Sequence, residues 1–450
     1  MINTHRIAVN MCRIRRRPNH GLTLFAMCSL LLLTISTTRA QQSDWPQWRG
    51  ANSTGHFEPG VDLSREWPAD GLKPKWSATL GPGYSGISVV GDLVYTMDRI
   101  ADKVSEEEQK ENPDALLDGI ERVLCFDRDS GKLVWQYDYR SNYKGLDYNK
   151  GPRTTPTIHA GKLFALGAMG HLHCLESRTG KHIWSRDLVK DSGARLPTWG
   201  FAASPLVVDD KLIIHAGIPG GCYCALNLKT GEEIWRAGND PAGYGVPIVA
   251  KSGNHRILVG WTPEHIIGMD IETGKVHWQI PYKVTYGVSI ATPIFQEGHV
   301  LVCGYWHGTK SIQLDSTLTQ ANLAWEENMY LRGLMAQPLY KDGHAYLLDK
   351  QHGVVCFKLE NGEVKWTDKN SLTPRGRNPQ LNLVWVGKTN RALGLNSEGE
   401  LLQVELTQEK FTELGRSKLV DFTWAHPAFS GNQVFARDDS QIICIDLPLK

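Results

Sequence analysis

The chain has 450 residues, a formal net charge of +1, 41% hydrophobic residues and 22% charged residues. Residues 1–40 hold six Lys or Arg and no acid, so 43 basic and 48 acidic residues remain from residue 41 onward. This slightly acidic remainder gives no electrostatic reason to expect binding to nucleic acid or to an anionic membrane. Length alone would allow two or three domains, but an array of repeats can form one closed body.

The first 40 residues have the three-part layout of a secretory signal peptide. A basic stretch that ends at Arg17 precedes an apolar run from Leu22 to Ile35, and the small residues Thr38 and Ala40 fit a cleavage site. The apolar run is shorter than the ~20 residues that a membrane-spanning helix needs. We therefore predict an exported protein, periplasmic or extracellular after cleavage at Ala40, with an uncleaved anchor as the alternative. No later stretch is apolar enough to predict a transmembrane segment.

Residues 41–74 are rich in Gly and Pro and are predicted to be an N-terminal segment or linker. The segment opens with the sequence WPQWRG at residues 45–50. Residues 75–450 are assigned to one repeat domain.

A short motif is repeated along the rest of the chain. Its first complete copy is VLCFDRDSGKLVW, residues 123–135, which predicts a strand, a tight turn with a glycine at positive φ, and a second strand. In five copies a Gly precedes a Trp by four positions, and a weaker sixth copy ending at Trp325 has Ala321 in place of the glycine. The five pairs are Gly131 and Trp135, Gly180 and Trp184, Gly231 and Trp235, Gly274 and Trp278, and Gly362 and Trp366.

Each motif is preceded by a second pair of apolar segments, most of which begin with a proline. Pro156, Pro205, Pro247, Pro293 and Pro338 mark five of these upstream halves, and less regular copies begin near Ser85, Pro379 and Pro427. Eight units with four strands each predict an all-β, eight-bladed β-propeller. The strand near Trp76 lacks its own turn, whereas the last repeat, residues 441–448, stops before its Trp strand. We predict that these two chain ends pair and close the ring.

The first unit contains an insertion, residues 101–119. Its run Glu106-Glu107-Glu108 predicts a solvated surface loop or a short helix.

Seven cysteines lie beyond the signal peptide. Five of them are predicted to share one position of the repeated strand, where other copies have Gly268 or Gln313. These five are Cys125, Cys174, Cys224, Cys356 and Cys444. A position that accepts Cys, Gly and Gln favours a small buried slot over half of a disulfide. Cys222 and Cys224 lack the second ligand pair that a zinc site requires.

The motif that ends in DIETGKVHW, residues 270–278, resembles the repeat of the pyrroloquinoline quinone (PQQ)-like β-propeller superfamily. The chain looks more similar to secreted BamB-like propellers, which are non-catalytic scaffolds, than to quinoprotein alcohol dehydrogenases, which hold PQQ and calcium on the propeller axis. The resemblance implies that the repeated tryptophans pack between neighbouring blades, and burial of large aromatic rings supports that role. These tryptophans are Trp76, Trp135, Trp184, Trp235, Trp278, Trp325 and Trp366.

Function in a propeller usually lies where loops enter the innermost strands at one mouth of the axial channel. In this chain those loops carry aromatic and Arg residues beside glycines. We predict ligand-binding residues Tyr84, Arg153, Trp199, Tyr244, Tyr286, Arg332, Arg377, Trp424 and His426. Such a ring suits a carboxylate, a phosphate or a planar ligand. In the alternative, the aromatic residues only plug the mouth and the arginines pair with neighbouring acids.

A quinoprotein dehydrogenase would need further features. Dehydrogenases of this fold stack the quinone on a disulfide between adjacent cysteines, and this chain has no Cys-Cys pair. Calcium requires oxygen ligands, and Asn239 and Asp240 are the nearest candidates. No heme-attachment motif is present. We assign no catalytic or metal-binding residues, and we interpret His171, His173 and His307 as pleat-facing or surface side chains.

The sequence therefore predicts a non-catalytic binding or protein-interaction scaffold. Its partner would be another envelope or extracellular protein, or a small polar or planar ligand, and not nucleic acid. The first alternative is a PQQ-dependent alcohol or sugar dehydrogenase with PQQ and calcium as cofactors. The second alternative is a polysaccharide-binding module that uses the aromatic mouth.

Overall fold

The computed structural model describes residues 44–112, 117–333, 335 and 337–450, so the predicted signal peptide lies outside the described residues. The described residues form eight sheets of four antiparallel strands each, and one of these sheets gains a fifth strand. The first strands of neighbouring sheets contact one another around a common axis. The predicted eight-bladed β-propeller is confirmed.

The strands follow one order in every blade, from the first strand beside the axis to the fourth at the rim. Two strands precede the first blade, namely β1 (His56–Phe57) and β2 (Pro74–Thr79). Blades 1 and 2 consist of β3 (Ser88–Val90), β4 (Leu93–Ala101), β5 (Gly119–Asp127), β6 (Leu133–Arg140), β7 (Thr157–His159), β8 (Lys162–Leu166), β9 (His171–Glu176) and β10 (His182–Asp187). Blades 3 and 4 consist of β11 (Leu206–Val208), β12 (Lys211–Ile218), β13 (Gly221–Asn227), β14 (Glu233–Ala237), β15 (Ile248–Ser252), β16 (His255–Trp261), β17 (His265–Met269) and β18 (Val276–Pro281). Blades 5 and 6 consist of β19 (Ile294–Gln296), β20 (His299–Gly304), β21 (Gly308–Leu314), β22 (Ala321–Glu327), β23 (Leu339–Lys341), β24 (His344–Asp349), β25 (Gly353–Lys358) and β26 (Val364–Thr367). Blades 7 and 8 consist of β27 (Leu381–Val386), β28 (Arg391–Asn396), β29 (Glu400–Leu406), β30 (Phe411–Lys418), β31 (Ala428–Ser430), β32 (Gln433–Arg437), β33 (Gln441–Asp446) and, as the fourth strand of blade 8, β2.

The burial of each strand follows from its place in the blade. The second strand of blade 1, β4, is buried at seven consecutive residues because neighbouring blades cover both of its faces. The fourth strand, β6, alternates between exposed and half-buried residues because one face meets solvent. The middle strands are therefore continuous apolar segments in the sequence, whereas the outer strands alternate between exposed and half-buried residues.

The repeated tryptophan joins each blade to the next one. In blade 1 the Trp135 Nε1 donates a hydrogen bond to the Ser177 carbonyl of blade 2, at 3.0 Å. Gly180 of blade 2 lies under the same indole, because a Cβ at Gly180 would come within 2.5 Å of Trp135 Cε3. The same packing joins Trp76 to Gly131, Trp184 to Gly231, Trp235 to Gly274, and Trp325 to Gly362.

The residue opposite each tryptophan on the third strand fills a small buried slot. Cys125 pairs with Trp135, Cys174 with Trp184, and Cys444 with Trp76. In blade 4 the slot holds Gly268, whose Cβ would lie 2.1 Å from Trp278 Cε2. The seven cysteines of the described residues are free and buried.

The predicted alignment of this slot was wrong in two blades. Cys224 pairs with Arg236, and the residue opposite Trp235 is Ala225. In blade 5, likewise, Gln313 pairs with Asn322, and Ser311 is opposite Trp325. A shift of one residue along a strand turns the side chain to the other face, so Cys224 lies on the opposite side of its blade.

The ring is closed by strands from both ends of the described chain. The N-terminal strand β2 pairs antiparallel with β33, and Trp76 is opposite Cys444. The predicted closure is confirmed. The insertion also has the expected form, since the helix α1 (Glu106–Glu111) is exposed along its length and begins at a Ser105 cap. No helix within the described residues is both long enough and apolar enough to cross a membrane.

Residues 44–73, the segment that sequence analysis assigns to a linker, are packed on the propeller. Trp45 exchanges two backbone hydrogen bonds of 2.8 Å with Val89 on the first strand of blade 1. Strand β1 then runs parallel to the first strand of blade 7 and becomes the fifth strand of that sheet. Because first strands line the axis, both contacts lie on the inner side of the ring, on blades that are separated only by blade 8.

The same segment replaces a tryptophan that blade 7 lacks. On strand β30 the position opposite Gln403 is occupied by Gly415, where six other blades have Trp on the fourth strand and blade 8 has Trp76. Trp67 covers this glycine, with its Cε3 3.1 Å from the position of a Cβ. The Gln403 side chain also donates a hydrogen bond of 3.2 Å to the Arg65 carbonyl. Trp67 thus supplies the aromatic ring for the junction at blade 7.

The contact between Trp135 and Gly180 predicts a large difference between two glycine substitutions. Gly180 and Gly161 both have positive φ, 71° and 76°, but a Cβ at Gly161 meets no atom within 4 Å. Gly161→Ala should lower the free energy of unfolding by about 1–2 kcal/mol through backbone strain alone. Gly180→Ala should cost about 1–3 kcal/mol more because it also overpacks the interface with Trp135. Urea unfolding measures both, and equal losses would contradict the contact.

A second prediction concerns the substitute tryptophan. Trp67→Ala should lower the free energy of unfolding by about 2 kcal/mol, because it empties a half-buried aromatic site. Gly415→Trp alone should also destabilise the protein, because the new indole collides with Trp67. In the double variant the new indole occupies the vacated space, so its stability should exceed that of either single variant. Strictly additive losses in the double-mutant cycle would show that the two positions do not share one site.

Candidate functional site

The strand order places two sets of loops at the same mouth of the propeller. The first strand of each blade runs away from the mouth, the second returns, and the third leaves again. The loops before the first strands and the hairpins between second and third strands therefore meet there. Tyr286, before blade 5, contacts Trp306 in the hairpin between β20 and β21, with ring centroids 6.2 Å apart. The predicted ligand-binding residues all lie in the first set of loops.

Four aromatic rings from the loops that enter blades 8, 1 and 2 form one group, the Trp424 cluster, which consists of Tyr84, Tyr148, Phe422 and Trp424. Trp424 lies at its centre, 5.6 Å from Tyr84, 5.6 Å from Tyr148 and 5.8 Å from Phe422 between ring centroids. Phe422 is 51% exposed and Tyr148 is 44% exposed. The Trp424 Nε1 is buried and has no hydrogen-bond partner among the described residues. The structure thus brings the predicted residues Tyr84 and Trp424 together and adds two that sequence analysis missed.

Arg153 supports this cluster from below. Its guanidinium lies 5.5 Å from the Tyr84 ring centroid and donates hydrogen bonds to the carbonyls of Gly151, Asp147 and Tyr148 at 2.5–2.8 Å. Burial lowers the pKa of Arg153. The side chain therefore holds the loop that carries Tyr148, and its charge is directed at backbone carbonyls.

Trp199 and Tyr244 form a separate packed pair. Their ring centroids are 5.4 Å apart, and the Trp199 backbone N–H donates to the Tyr244 hydroxyl at 3.5 Å. Burial raises the pKa of Tyr244 to about 12. These two predicted residues belong to the packing between loops, with only part of the Trp199 indole reaching the surface.

The two remaining predicted arginines do not join the aromatic residues of the mouth. The Arg332 side chain donates to Gln351 Oε1 at 2.9 Å, and its Nε lies 3.6 Å from a carboxylate oxygen of the buried Asp349. Arg377 is exposed on its loop. Arg332 therefore follows the alternative in which an arginine of the mouth pairs with an acid.

A second aromatic group, the Trp306 cluster, consists of Tyr286, Tyr305 and Trp306. Tyr305 and Trp306 pack edge to face at 4.6 Å, and the Lys350 ammonium lies 4.3 Å and 5.0 Å from their ring centroids. Tyr286 is 75% exposed and Trp306 is 45% exposed. Only Tyr286 was predicted. The hairpin residues Tyr305, Trp306 and His307 form an aromatic run in a turn, a signal that sequence analysis left unused.

The axis itself is occupied by the N-terminal segment. The Trp48 indole stacks against His426 with ring centroids 4.0 Å apart, and its Nε1 donates to Thr292 Oγ1 at 3.2 Å. Thr292 and His426 precede the first strands of blades 5 and 8, so Trp48 bridges opposite parts of the ring. Arg49 is buried next to Trp48, and burial lowers its pKa to about 9. Burial, and then the charge of Arg49, hold the pKa of His426 well below its usual value.

These residues do not fit a quinone with calcium on the axis. The indole of Trp48 lies between Thr292 and His426, just before the first strands of blades 5 and 8. The calcium candidate Asp240 accepts a hydrogen bond from Thr262 Oγ1 at 2.5 Å and pairs with His265 Nδ1 at 2.8 Å. Asn239 is exposed. Among the described residues no group of three or more His, Cys, Asp or Glu side chains is placed to hold a metal ion.

Cys222 and His215 form a buried pair. A cysteine and a histidine can act as a nucleophile and its general base, but these two do not have the ionisation states that this role requires. The Gly243 N–H donates to His215 Nε2 at 2.9 Å, so the ring proton is on Nδ1, which faces the Gly245 carbonyl at 3.2 Å. The thiol of Cys222 donates to the Pro241 carbonyl at 3.3 Å. Burial raises the pKa of Cys222 and lowers that of His215 to about 4. Both groups are neutral and satisfied, which is the state of a structural pair.

His173 is a second buried histidine that sequence analysis considered. It lies between blades 1 and 2, 4.3 Å from Tyr139 and 5.2 Å from Tyr137 between ring centroids. Neither ring nitrogen has a hydrogen-bond partner among the described residues. Burial, followed by the charges of His171 and His182, lowers the pKa of His173 to about 3. The side chain is a neutral component of the interface, as the pleat-facing interpretation expects.

Comparisons with known proteins agree with the fold, and one family model matches more than half of the chain. The model of the family described as outer membrane protein assembly factor BamB matches residues 120–368. One curated relative, the outer membrane protein assembly factor BamB of Moranella endobia (strain PCIT), is 24% identical over 339 residues, which cover 70% of this chain and 78% of the relative.

Solved structures share the propeller and do not separate scaffolds from dehydrogenases. BamB from Moraxella catarrhalis matches with a TM-score of 0.55 at 17% identity, over 83% of this chain and 97% of that chain. A europium-containing methanol dehydrogenase matches with a TM-score of 0.60 at 14% identity, over 90% of each chain. At such identities the likeness is one of fold alone.

The buried state of His173 predicts a pH dependence of stability. Its folded pKa of about 3 lies below the ~6.5 of an unfolded histidine, so the unfolded chain takes up a proton that the folded chain refuses. The free energy of unfolding should therefore fall as the pH drops below about 6.5, with up to ~1.4 kcal/mol per pH unit from this group. His173→Phe should reduce the slope by that amount in urea titrations between pH 4 and 6. An unchanged slope would show that His173 is protonated in the folded protein.

Proposed function

The chain belongs to the family described as outer membrane protein assembly factor BamB, and on this premise we propose that it is a non-catalytic scaffold that binds another protein of the cell envelope. The family model covers more than half of the chain, from blade 1 to blade 6. The alignment with a relative of the same name covers 78% of that relative. That name describes the relative, and assembly of outer membrane proteins is proposed here for this chain by analogy.

Export is part of the proposal. The basic, apolar and small-residue regions of residues 1–40 support translocation out of the cytoplasm. We propose that the propeller works in the periplasm or outside the cell, where a partner in the envelope is accessible to it.

The Trp424 cluster is the observation that carries the proposal. Phe422 and Tyr148 have exposed aromatic rings. Such rings are typical of protein contact sites when they lie together and are held in place. Arg153 fixes the Tyr148 loop through its three carbonyl contacts, and Trp424 fixes both exposed rings from the other side. Because these loops are already ordered, little conformational entropy is lost when a partner covers the surface, which favours binding.

The occupied axis favours a scaffold over the PQQ-dependent dehydrogenase. Catalysis on the axis would need room for the cofactor and its substrate, and Trp48 fills that space through contacts with His426 and Thr292. The contacts of Asp240 with Thr262 and His265 likewise leave its carboxylate engaged. The mouth surface stays available for a partner while the interior serves stability.

A complementation experiment tests this function. In the source organism, deletion of the gene should lower the levels of outer membrane proteins, and the wild-type gene should restore them. The double variant Phe422→Ala, Tyr148→Ala should restore them at most in part, because it removes the exposed rings of the contact surface. Quantitative mass spectrometry of outer membrane fractions gives the readout.

Two controls separate binding from folding. The double variant should keep the Tm of the wild type, since the removed rings are half exposed, and Trp306→Ala, which removes an exposed ring of the other cluster, should complement fully. Full complementation by the double variant would refute the assigned surface. Unchanged outer membrane protein levels after deletion would refute the assembly function itself.

A further inference from the structure

The surface between blades 4 and 5 holds a cleft that the proposed function does not use. The cleft has a volume of about 440 Å³ and opens toward the mouth. This volume falls within the ~300–1,000 Å³ of typical small-molecule sites. Its lining residues are Pro281, Tyr282, Lys283, His307, Lys310, Glu326, Glu327 and Asn328.

The floor of the cleft is aromatic and rigid. Tyr282 is buried, stacks on Trp261 at 5.4 Å between ring centroids, and donates its hydroxyl proton to the Gly308 carbonyl. The Lys310 ammonium lies 5.3 Å from the Tyr282 ring centroid. Lys310 lies on strand β21, and the Tyr282 backbone N–H donates to the Glu264 carbonyl at 2.8 Å, so both residues are held in place before any ligand arrives.

The four charged side chains that line the cleft, Lys283, Lys310, Glu326 and Glu327, have a net charge of zero. Lys310 forms an ion pair with Glu326, and the Lys283 ammonium lies 3.3 Å from a carboxylate oxygen of Glu264. Glu327 accepts hydrogen bonds from the backbone N–H groups of residues 329, 330 and 331. The lining therefore offers hydrogen-bond donors and acceptors without a net charge that would attract an ion.

The rim of the cleft carries the Trp306 cluster. His307 Nε2 lies 2.9 Å from Thr285 Oγ1, which ties the lining of the cleft to the turn that presents Tyr286. Tyr286 has a φ of 59°, a conformation that is strained for a bulky residue. This turn places the 75% exposed Tyr286 ring 6.2 Å from the Trp306 ring, between centroids. Hydrophobic burial does not explain this placement.

We propose that this cleft and its aromatic rim form a binding site for a neutral oligosaccharide. The carbon face of a sugar ring stacks on exposed Trp and Tyr rings, whereas its hydroxyls both donate and accept hydrogen bonds. A lining of His, Lys, Glu and Asn with balanced charge matches hydroxyl groups, because each hydroxyl finds donors and acceptors side by side. An anionic ligand would meet as many carboxylates as ammonium groups. The site is separate from the Trp424 cluster and does not depend on the partner proposed above.

Calorimetry on the purified chain without residues 1–40 tests the site. The probes are chitohexaose and cellohexaose as neutral oligosaccharides, and hexagalacturonate as an anionic one of similar length. At least one neutral probe should bind with one site per chain, and hexagalacturonate should bind at least tenfold more weakly. Trp306→Ala should weaken binding at least tenfold through loss of stacking, and Asn328→Ala about three- to tenfold through loss of a hydrogen bond.

The matched control is Phe422→Ala, which removes a ring of similar exposure from the Trp424 cluster and should leave sugar affinity unchanged. Circular dichroism and the Tm confirm that each variant is folded. The proposal is overturned when neither neutral probe binds the wild type, when Trp306→Ala binds as tightly as the wild type, or when hexagalacturonate binds best. Loss of binding in Phe422→Ala would place the sugar at the other cluster and also overturn it. The complementation test above addresses the partner site alone.

Discussion

The packing of one blade's tryptophan on the next blade's turn determines the spacing of the ring. Each indole donates a hydrogen bond to a backbone carbonyl of the neighbouring blade, as Trp135 does to Ser177, and a glycine such as Gly180 leaves room for its face. Because the contact recurs at five junctions, the blades at these junctions pack on one another in the same way, which favours a closed ring. A larger residue at any of these glycines would change the packing of two blades, and the closed ring would require the other junctions to adjust. The glycine and the tryptophan therefore form a single unit.

The N-terminal segment completes the ring where the repeat fails. Blade 7 has Gly415 at the tryptophan position, and Trp67 packs on this glycine from outside the sheet. The closing blade is built from β2 and β33, so it has no hairpin turn to receive an indole. Backbone contacts between Ser64 and Pro448 and between Lys450 and Asp62 take its place. One segment thus supplies a missing side chain, joins the chain ends and, through Trp48, fills the axis.

Structural features that recur in every blade could be predicted from the sequence, whereas contacts that occur only once could not. Blade number, strand number and closure at Trp76 follow from a period that eight copies reinforce. The pairing of Trp67 with Gly415 could not be predicted, because the two residues are far apart in the chain and neither belongs to the motif. The cysteine slot was misassigned within the repeat. The residue opposite Trp235 is Ala225, ten positions before it, just as Cys125 is ten positions before Trp135, whereas Cys224 is eleven positions before Trp235 and therefore faces the other side. At the mouth, Tyr84 and Trp424 were both among the predicted ligand-binding residues, whereas Trp306 was not, because that prediction used only the loops before the first strands.

The position of Trp48 on the axis determines which side chains of this protein can contact a ligand. In an open propeller the channel is the deepest concave site, and polar side chains on the first strands would be free to face a ligand. Here Trp48 stacks on His426 and bonds to Thr292, so part of that polar lining is satisfied within the chain. The side chains left for recognition are those above the plug, on loops that the repeats do not share. Two aromatic groups stand there on fixed backbone, one held by Arg153 and the other by the turn at Tyr286. A rigid ring that presents separate surfaces at one mouth suits simultaneous contact with two different molecules, because occupying one surface does not require the other to move.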